Sequence, residues 1–270
     1  MQERYSDFKG IQLHYFTMGD PANPAILFIH GYLESAKIWQ SFGKLLEKDF
    51  FLILPDVPGH GKSGILSSTH HMDEMADALD SVISELNVMK LHLVGHSMGG
   101  YIALAYREKY YEKLYSCVLF HSTCYSDTPE KKENRKREIN LITEGKKELI
   151  INTNIPRAFA DDNLDILREE VEFAKKIGRE NPDQGIISLL NGMRSRPERC
   201  PLLIDDKIPL LLIAGQKDNY IPMEVMEKML GLGTNVELKI LKNSGHMGFM
   251  EEPGVSGNIL MDFYKKCDGK

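Results

Sequence analysis

The stretch Val94-Gly95-His96-Ser97-Met98-Gly99-Gly100, directly after the apolar run Leu91 to Val94, decides how this chain is read. Strand, sharp turn and helix in that order make a G-x-S-x-G turn with a serine at its apex. The turn forces the serine into a strained conformation. Large side chains at positions 95 and 99 would collide there, and both are glycine. The geometry lifts the Ser97 hydroxyl off the strand end and points it into a cleft. It also sets the Met98 N–H at a helix N-terminus, where it can stabilise an oxyanion.

A serine hydroxyl is a poor nucleophile at neutral pH and needs a base, which in turn needs an orienting partner. On a doubly wound sheet these come from loops after later strands, in the order Ser, Asp, His. Asp218 is the candidate acid. It stands in Gly215-Gln216-Lys217-Asp218-Asn219-Tyr220-Ile221-Pro222, just after the run Pro209 to Ala214, and Pro222 suits the start of the next helix. Asp127, after an earlier strand, is the fallback acid. The candidate base is His246 in Ser244-Gly245-His246-Met247-Gly248, which follows the run Val236 to Leu241. A histidine in that position can take the serine proton and return it to the leaving group. The second oxyanion donor is expected from His30-Gly31-Tyr32, after the run Ala25 to Ile29. Its backbone N–H at Tyr32 would pair with that of Met98, Gly31 would let the backbone turn, and His30 reads as a structural hydrogen-bonding residue.

Other short apolar runs, Ile11 to Phe16, Phe50 to Leu54 and Cys117 to Phe120, suit further strands, most of them buried on both faces. Met72, Met75, Ala76, Leu79, Val82, Ile83 and Leu86 make one apolar helical stripe. Helices are also expected over Ile102 to Tyr110, Met223 to Leu230 and Ile259 to Tyr264. Strands alternating with helices mean an α/β fold with a parallel sheet covered on both faces. The alternation breaks between about 126 and 207. That segment has helical spacing at Leu164, Leu167, Val171 and Ala174, and a charged stretch from Glu130 to Glu138. With glutamates interspersed among its basic residues, the stretch reads as a solvated helix face. The whole segment reads as an all-helical insertion.

Several function classes drop out. A net charge of −6 argues against a nucleic-acid partner. No apolar run approaches the roughly 18 residues of a spanning helix, so no membrane partner is expected. The first residues, Met1 to Asp7, hold no apolar signal-peptide core. The cysteines Cys117, Cys124, Cys200 and Cys267 show no C-x-x-C spacing and read as four reduced thiols of a cytoplasmic protein. Gly59-His60-Gly61-Lys62-Ser63 contains G-K-S, but Asp56 stands where a phosphate loop needs its first glycine. Gly95, Ser97 and Gly100 fail the dinucleotide pattern at its middle position. His70, His71 and Asp73 open a helix, where capping or exposure is expected rather than metal binding. The chemistry read here requires no metal and no cofactor. The oligomeric state is not legible.

Together these residues resemble the α/β-hydrolase superfamily. The resemblance rests on His30-Gly31-Tyr32, on Asp56-Val57-Pro58-Gly59-His60-Gly61-Lys62-Ser63, on the Ser97 turn, on Gly215 to Asp218 and on Gly245-His246, and it spans nearly the whole chain. It implies a mostly parallel eight-stranded sheet flanked by helices, with a helical cap inserted after the sixth strand. Residues 1–125 and 208–270 would form the core domain and 126–207 the cap. Within the superfamily the chain is similar to cap-bearing serine esterases and enol-lactonases, and Asn191 to Pro197 resembles a segment of such members. The nucleophile argues against haloalkane dehalogenases and epoxide hydrolases, which carry aspartate there. The expected function is a serine hydrolase, a carboxylesterase acting on a small ester through a Ser97-His246-Asp218 triad. A lactonase, thioesterase or C–C bond hydrolase would use the same triad, and a non-catalytic ligand receptor could use the same fold. Trp39, Phe159, Met193, Tyr220, Met247 and Phe249 border the site motifs or lie in the cap, and are expected to make an apolar substrate pocket.

Overall fold

A computed structural model describes residues 1–204 and 207–268. Positions 205–206 of the expected cap and 269–270 of the expected core lie outside the described residues. The apolar runs become strands of one eight-stranded sheet: β1 (Gln2–Phe8), β2 (Ile11–Met18), β3 (Ala25–Ile29), β4 (Phe51–Pro55), β5 (Leu91–His96), β6 (Leu114–Phe120), β7 (Leu210–Gly215) and β8 (Val236–Leu241). Their order is β1-β2-β4-β3-β5-β6-β7-β8. The pairings from β4 through β8 are parallel, and β1 and β2 join antiparallel at one edge. Every residue of β3, β4, β5 and β7 is buried, which is why these segments read as unbroken apolar runs. β1 carries no such run. It is a mostly exposed edge strand, specified by its ladder with β2 and invisible to a pattern search.

The helices are α1 (Gln40–Gly43), α2 (Met72–Glu85), α3 (Met98–Tyr110), α4 (Pro129–Thr143), α5 (Lys147–Ala158), α6 (Arg168–Glu180), α7 (Asp183–Ser195), α8 (Pro201–Ile204), α9 (Met223–Leu230), α10 (Gly248–Glu251) and α11 (Pro253–Asp268). The stripe from Met72 to Ile83 is the buried face of α2. α4 starts cleanly because Thr128 accepts the Lys131 N–H and Pro129 occupies the first turn. Ile142 is its one buried residue, so the charged stretch is a solvated face. Leu164 and Leu167 fall before α6, beside a short 3-10 turn at Asp161–Asn163, and not within the helix their spacing suggested. All described elements between β6 and β7 are helical, and no described helix is long and apolar enough to cross a membrane.

The expectation of four reduced thiols is corrected. Cys124 and Cys200 form a disulfide with Cα atoms 4.8 Å apart, while Cys117 and Cys267 are thiols. The reason is topological. β6 and β7 are neighbours, so an insertion between them leaves and re-enters the core at one place. That return brings together two cysteines 76 positions apart. The Arg199 N–H also donates to the Cys124 carbonyl at 2.8 Å, and Arg196 pairs with Asp127 at 2.8 Å. Thiol titration of denatured, unreduced protein should therefore find two thiols, rising to four on reduction. Reduction should lower the unfolding free energy by up to about 4.5 kcal/mol, the loop-closure value for a loop of this length. Four thiols before reduction would refute the bond.

Candidate active site

Three backbones meet where β5 turns into α3. Ser97 has φ +50° and ψ −115°, a conformation L residues rarely hold. A Cβ on Gly95 would lie 2.4 Å from the Gly99 carbonyl oxygen, and one on Gly99 would lie 2.3 Å from that of Ile29. Both glycines are therefore required by space. The Ser97 N–H donates to the Phe120 carbonyl at 2.9 Å, and Ser122 Oγ donates to the Ser97 carbonyl at 2.6 Å, so the strained turn is held from β6.

The loops after β7 and β8 bring Asp218 and His246 to this turn. Ser97 Oγ lies 2.8 Å from His246 Nε2, and His246 Nδ1 lies 2.8 Å from Asp218 Oδ2. With its proton on Nδ1, the imidazole donates to Asp218 and leaves Nε2 to accept from the serine O–H. The other carboxylate oxygen, Oδ1, accepts the N–H groups of Tyr220 at 2.7 Å and Ile221 at 3.0 Å. Burial alone would raise the Asp218 pKa. The His246 and His121 rings outweigh it and hold the carboxyl far below the usual range. Asp127, the fallback acid, is elsewhere. It is buried and bonded to Arg135 and Arg196.

Four residues around this line escaped the sequence reading. His121, buried at the end of β6 with φ +49°, has Nδ1 3.4 Å from Asp218 Oδ2. Its Nε2 accepts the Gly248 N–H at 3.1 Å. Burial pushes its pKa down to about 4, so the ring is neutral at pH 7. Glu34 and His96 form a buried pair, Nδ1 to Oε1 at 3.0 Å. The Glu34 carboxylate also accepts the Gly31 N–H at 2.6 Å, and His96 Nε2 donates to the His246 carbonyl at 2.9 Å. Burial disfavours charge on both, yet mutual attraction prevails, lowering the Glu34 pKa and raising that of His96. Glu251 accepts four N–H groups: Gly245 and Met247 of the histidine loop, and Ala160 and the Asn163 amide of the insertion. The available signals were a histidine ending a strand beside the nucleophile strand, and a carboxylate in the otherwise buried run Leu33 to Ala36.

The His30-Gly31-Tyr32 loop lies across the turn from Ser97. His30 is structural: Nδ1 donates to the Gly31 carbonyl at 2.9 Å, and Nε2 accepts the Val57 N–H at 3.0 Å. Gly31 does not supply the turn. A Cβ there would meet His96 Nδ1 at 2.8 Å, and the left-handed residue is Leu33 at φ +60°. Among the described residues, neither the Tyr32 nor the Met98 N–H donates within the chain, as an oxyanion site requires.

Of the six expected pocket residues, Tyr220 alone is part-exposed and in ring contact with the base, its centroid 5.2 Å from that of His246. Trp39 and Phe249 are corrected: they stack at 4.2 Å with Phe28 and Phe42 around them, forming the aromatic core behind His96. Met193 is buried in α7, and Met247 and Phe159 are buried in the loops that join His246 to the insertion. An apolar neighbour in sequence does not reveal which side of its segment faces the site.

Among the described residues, His121, Asp218 and His246 are the donors close enough to share a metal ion. The hydrogen bonds above already use them. The loop from Gly59 to Ser63 wraps a carboxylate of its own chain, with the Lys62 N–H on Asp56 at 2.8 Å, and so has no phosphate cradle. His70 is buried, not exposed; Asp73 pairs with Arg199 at 2.7 Å.

Two measurements check this electrostatic description. In Glu34→Gln, His96 loses its counter-charge. Its pKa, followed by NMR, should fall from above the ordinary histidine value to below it, with a loss of about 1–3 kcal/mol in stability; an unmoved pKa would contradict the pair. His70 and His121 stay neutral in the fold down to about pH 4. An unfolded histidine binds its proton below about pH 6.5, so their share of stability is full above that pH. It drains as pH falls toward 4, by up to about 1.4 kcal/mol per pH unit for each residue. Urea unfolding at about pH 7 and about pH 5 should show a smaller loss in His70→Gln than in wild type, and equal losses would contradict the assignment.

A family profile described as the alpha/beta hydrolase fold matches residues 24–141. A 2-hydroxy-6-oxononadienedioate/2-hydroxy-6-oxononatrienedioate hydrolase of Escherichia coli is 27% identical over 264 residues, covering 94% of this chain and 91% of that one. Among solved structures, a thermophilic esterase from Thermogutta terrifontis superposes with a TM-score of 0.92 at 28% identity, over 99% of both chains. The enol-lactonase from Burkholderia xenovorans superposes at 0.90 with 17% identity, over 97% of this chain and 100% of that one, a likeness of fold. With this sheet, this turn and these likenesses, the chain has the α/β-hydrolase fold.

Proposed function

We propose that this chain is a serine hydrolase that cleaves a small carboxylic ester through an acyl-enzyme. The observation that carries the reading is the unbroken line from Ser97 Oγ through His246 to Asp218, with both links at 2.8 Å. Ser97 attacks the ester carbonyl as its proton passes to His246 Nε2. Asp218 holds the imidazole in the required tautomer and stabilises its positive charge. The N–H groups of Tyr32 and Met98 receive the oxyanion, each worth about 3 kcal/mol of transition-state stabilisation. His246 then protonates the leaving alcohol. In the second half a water loses its proton to His246 and attacks the acyl carbon; His246 returns that proton to Ser97 Oγ as the acid is released. No step needs a metal or cofactor.

The segment 126–207 serves as the cap, and Glu251 together with the His246 N–H on the Ala158 carbonyl at 2.6 Å ties the catalytic loop to it. Lactonases, thioesterases and C–C hydrolases share the triad. The E. coli relative is named for a dicarboxylate, whose second carboxylate needs an unpaired cation. Arg135 and Arg196, beside Tyr32 and Tyr101, are both committed to Asp127, so neither is available to that charge. The Cys124–Cys200 bond removes the free-thiol argument for a cytoplasmic location and favours an oxidising compartment.

Fluorophosphonate labelling, combined with turnover of p-nitrophenyl esters of increasing acyl length, tests the function. Wild type should label, and Ser97→Ala should not. Turnover in that variant should fall about 10³-fold or more, and Asp218→Asn should lose a similar factor by freeing the wrong tautomer. A Ser97→Ala protein that still turns over esters at the wild-type rate overturns the proposal. Unlabelled, inactive wild type would favour a ligand receptor.

A further inference from the structure

The mechanism leaves one polar cluster beside the triad unused. Tyr32, in the oxyanion loop, carries its side chain toward α4, where its hydroxyl faces the Glu138 carboxyl. That hydroxyl is buried and makes no hydrogen bond among the described residues. Asn154 of α5 donates to Glu138 Oε1 at 2.7 Å, and the Asn154 carbonyl accepts the Tyr220 hydroxyl at 2.8 Å. Tyr220 in turn packs on the His246 ring. The cluster thus spans from the oxyanion loop to the base, with its acid contributed by the insertion.

Its chemistry is specific. Burial pushes the Glu138 carboxyl above its ordinary range, against the pull of Asn154 and Arg135. The carboxyl accepts hydrogen bonds, and the phenol both donates and accepts. The charge of the nearest guanidinium, that of Arg135, is taken by Asp127. A substrate carboxylate would meet the Glu138 carboxyl there, with the Arg135 charge already taken up by Asp127. A plain alkyl group would leave the buried Tyr32 hydroxyl without a partner and cut off from water, an unfavourable exchange. A ketone cannot donate to Glu138 and an ammonium cannot accept the Tyr32 O–H, whereas a hydroxyl does both.

We infer that Tyr32, Glu138 and Asn154 form a specificity subsite for a hydroxyl group on the ester substrate. The inference rests on the serine-esterase reading above and narrows it to hydroxylated esters.

The test compares matched substrates. p-Nitrophenyl butyrate against its β-hydroxybutyrate counterpart places the hydroxyl on the acyl side, and ethyl butyrate against glycol monobutyrate places it on the alcohol side. Wild type should favour one hydroxylated member by about tenfold or more in kcat/KM. That ratio should collapse toward one in Glu138→Leu and Tyr32→Phe, and Glu138→Gln, which still hydrogen-bonds, should retain most of it. Thermal melts establish that each variant is folded. A wild-type ratio near one for both pairs, or a ratio unchanged in folded Glu138→Leu, overturns the subsite. If wild type turns over butyrate and labels with fluorophosphonate while showing no preference, the subsite alone fails. If it neither labels nor turns over any of the four esters, the underlying esterase reading fails and takes the subsite with it.

Discussion

The close crossing of the turn after β5 over the end of β3 is the constraint on which the site depends. Gly99 packs against the carbonyls of Ile29 and His30 with no room for a Cβ, and Gly95 packs against Gly99 in the same way. This contact forces Ser97 to φ +50° and starts α3 immediately beyond it. One backbone arrangement therefore presents the Ser97 hydroxyl and places a helix N-terminus next to it. It also sets that N-terminus opposite the Tyr32 loop. The cost of the strained serine, of order 1–3 kcal/mol, is carried by the fully buried strands on either side.

What holds the other two members in line is a set of buried polar ties that cross between loops. Glu34 and His96 join the Gly31 loop, the Ser97 turn and the His246 carbonyl into one network. His121 supports Asp218 from β6, and Glu251 supports the histidine loop from α10. Each carries a satisfied charge or a neutral ring in a place where an unpaired one would be costly. The site is thus pre-organised by its surroundings and not by the triad alone.

The legible parts of this molecule were those with local causes. Buried parallel strands produce apolar runs, an amphipathic helix produces the stripe at Met72 to Ile83, and glycine-flanked turns surround Ser97 and His246. The order of the three catalytic candidates followed from the topology of such a sheet. Contacts made across the fold left no local trace. The Cys124–Cys200 bond depends on β6 and β7 being neighbours, and the Glu34–His96 pair joins residues 62 positions apart. β1 depends on its partner strand and not on its own pattern. The apolar residues near the site motifs failed for a related reason: Trp39 and Phe249 face the core side of their segments, and proximity in sequence cannot distinguish the two sides.

The central claim is a covalent acyl-enzyme on Ser97. Acid quenching of wild-type protein during p-nitrophenyl butyrate turnover, followed by intact-mass and peptide-mass analysis, tests it most directly. The account predicts a single butyryl adduct, on the peptide that contains Ser97. Continued turnover with no adduct at any quench time, or an adduct confined to another residue, would contradict it.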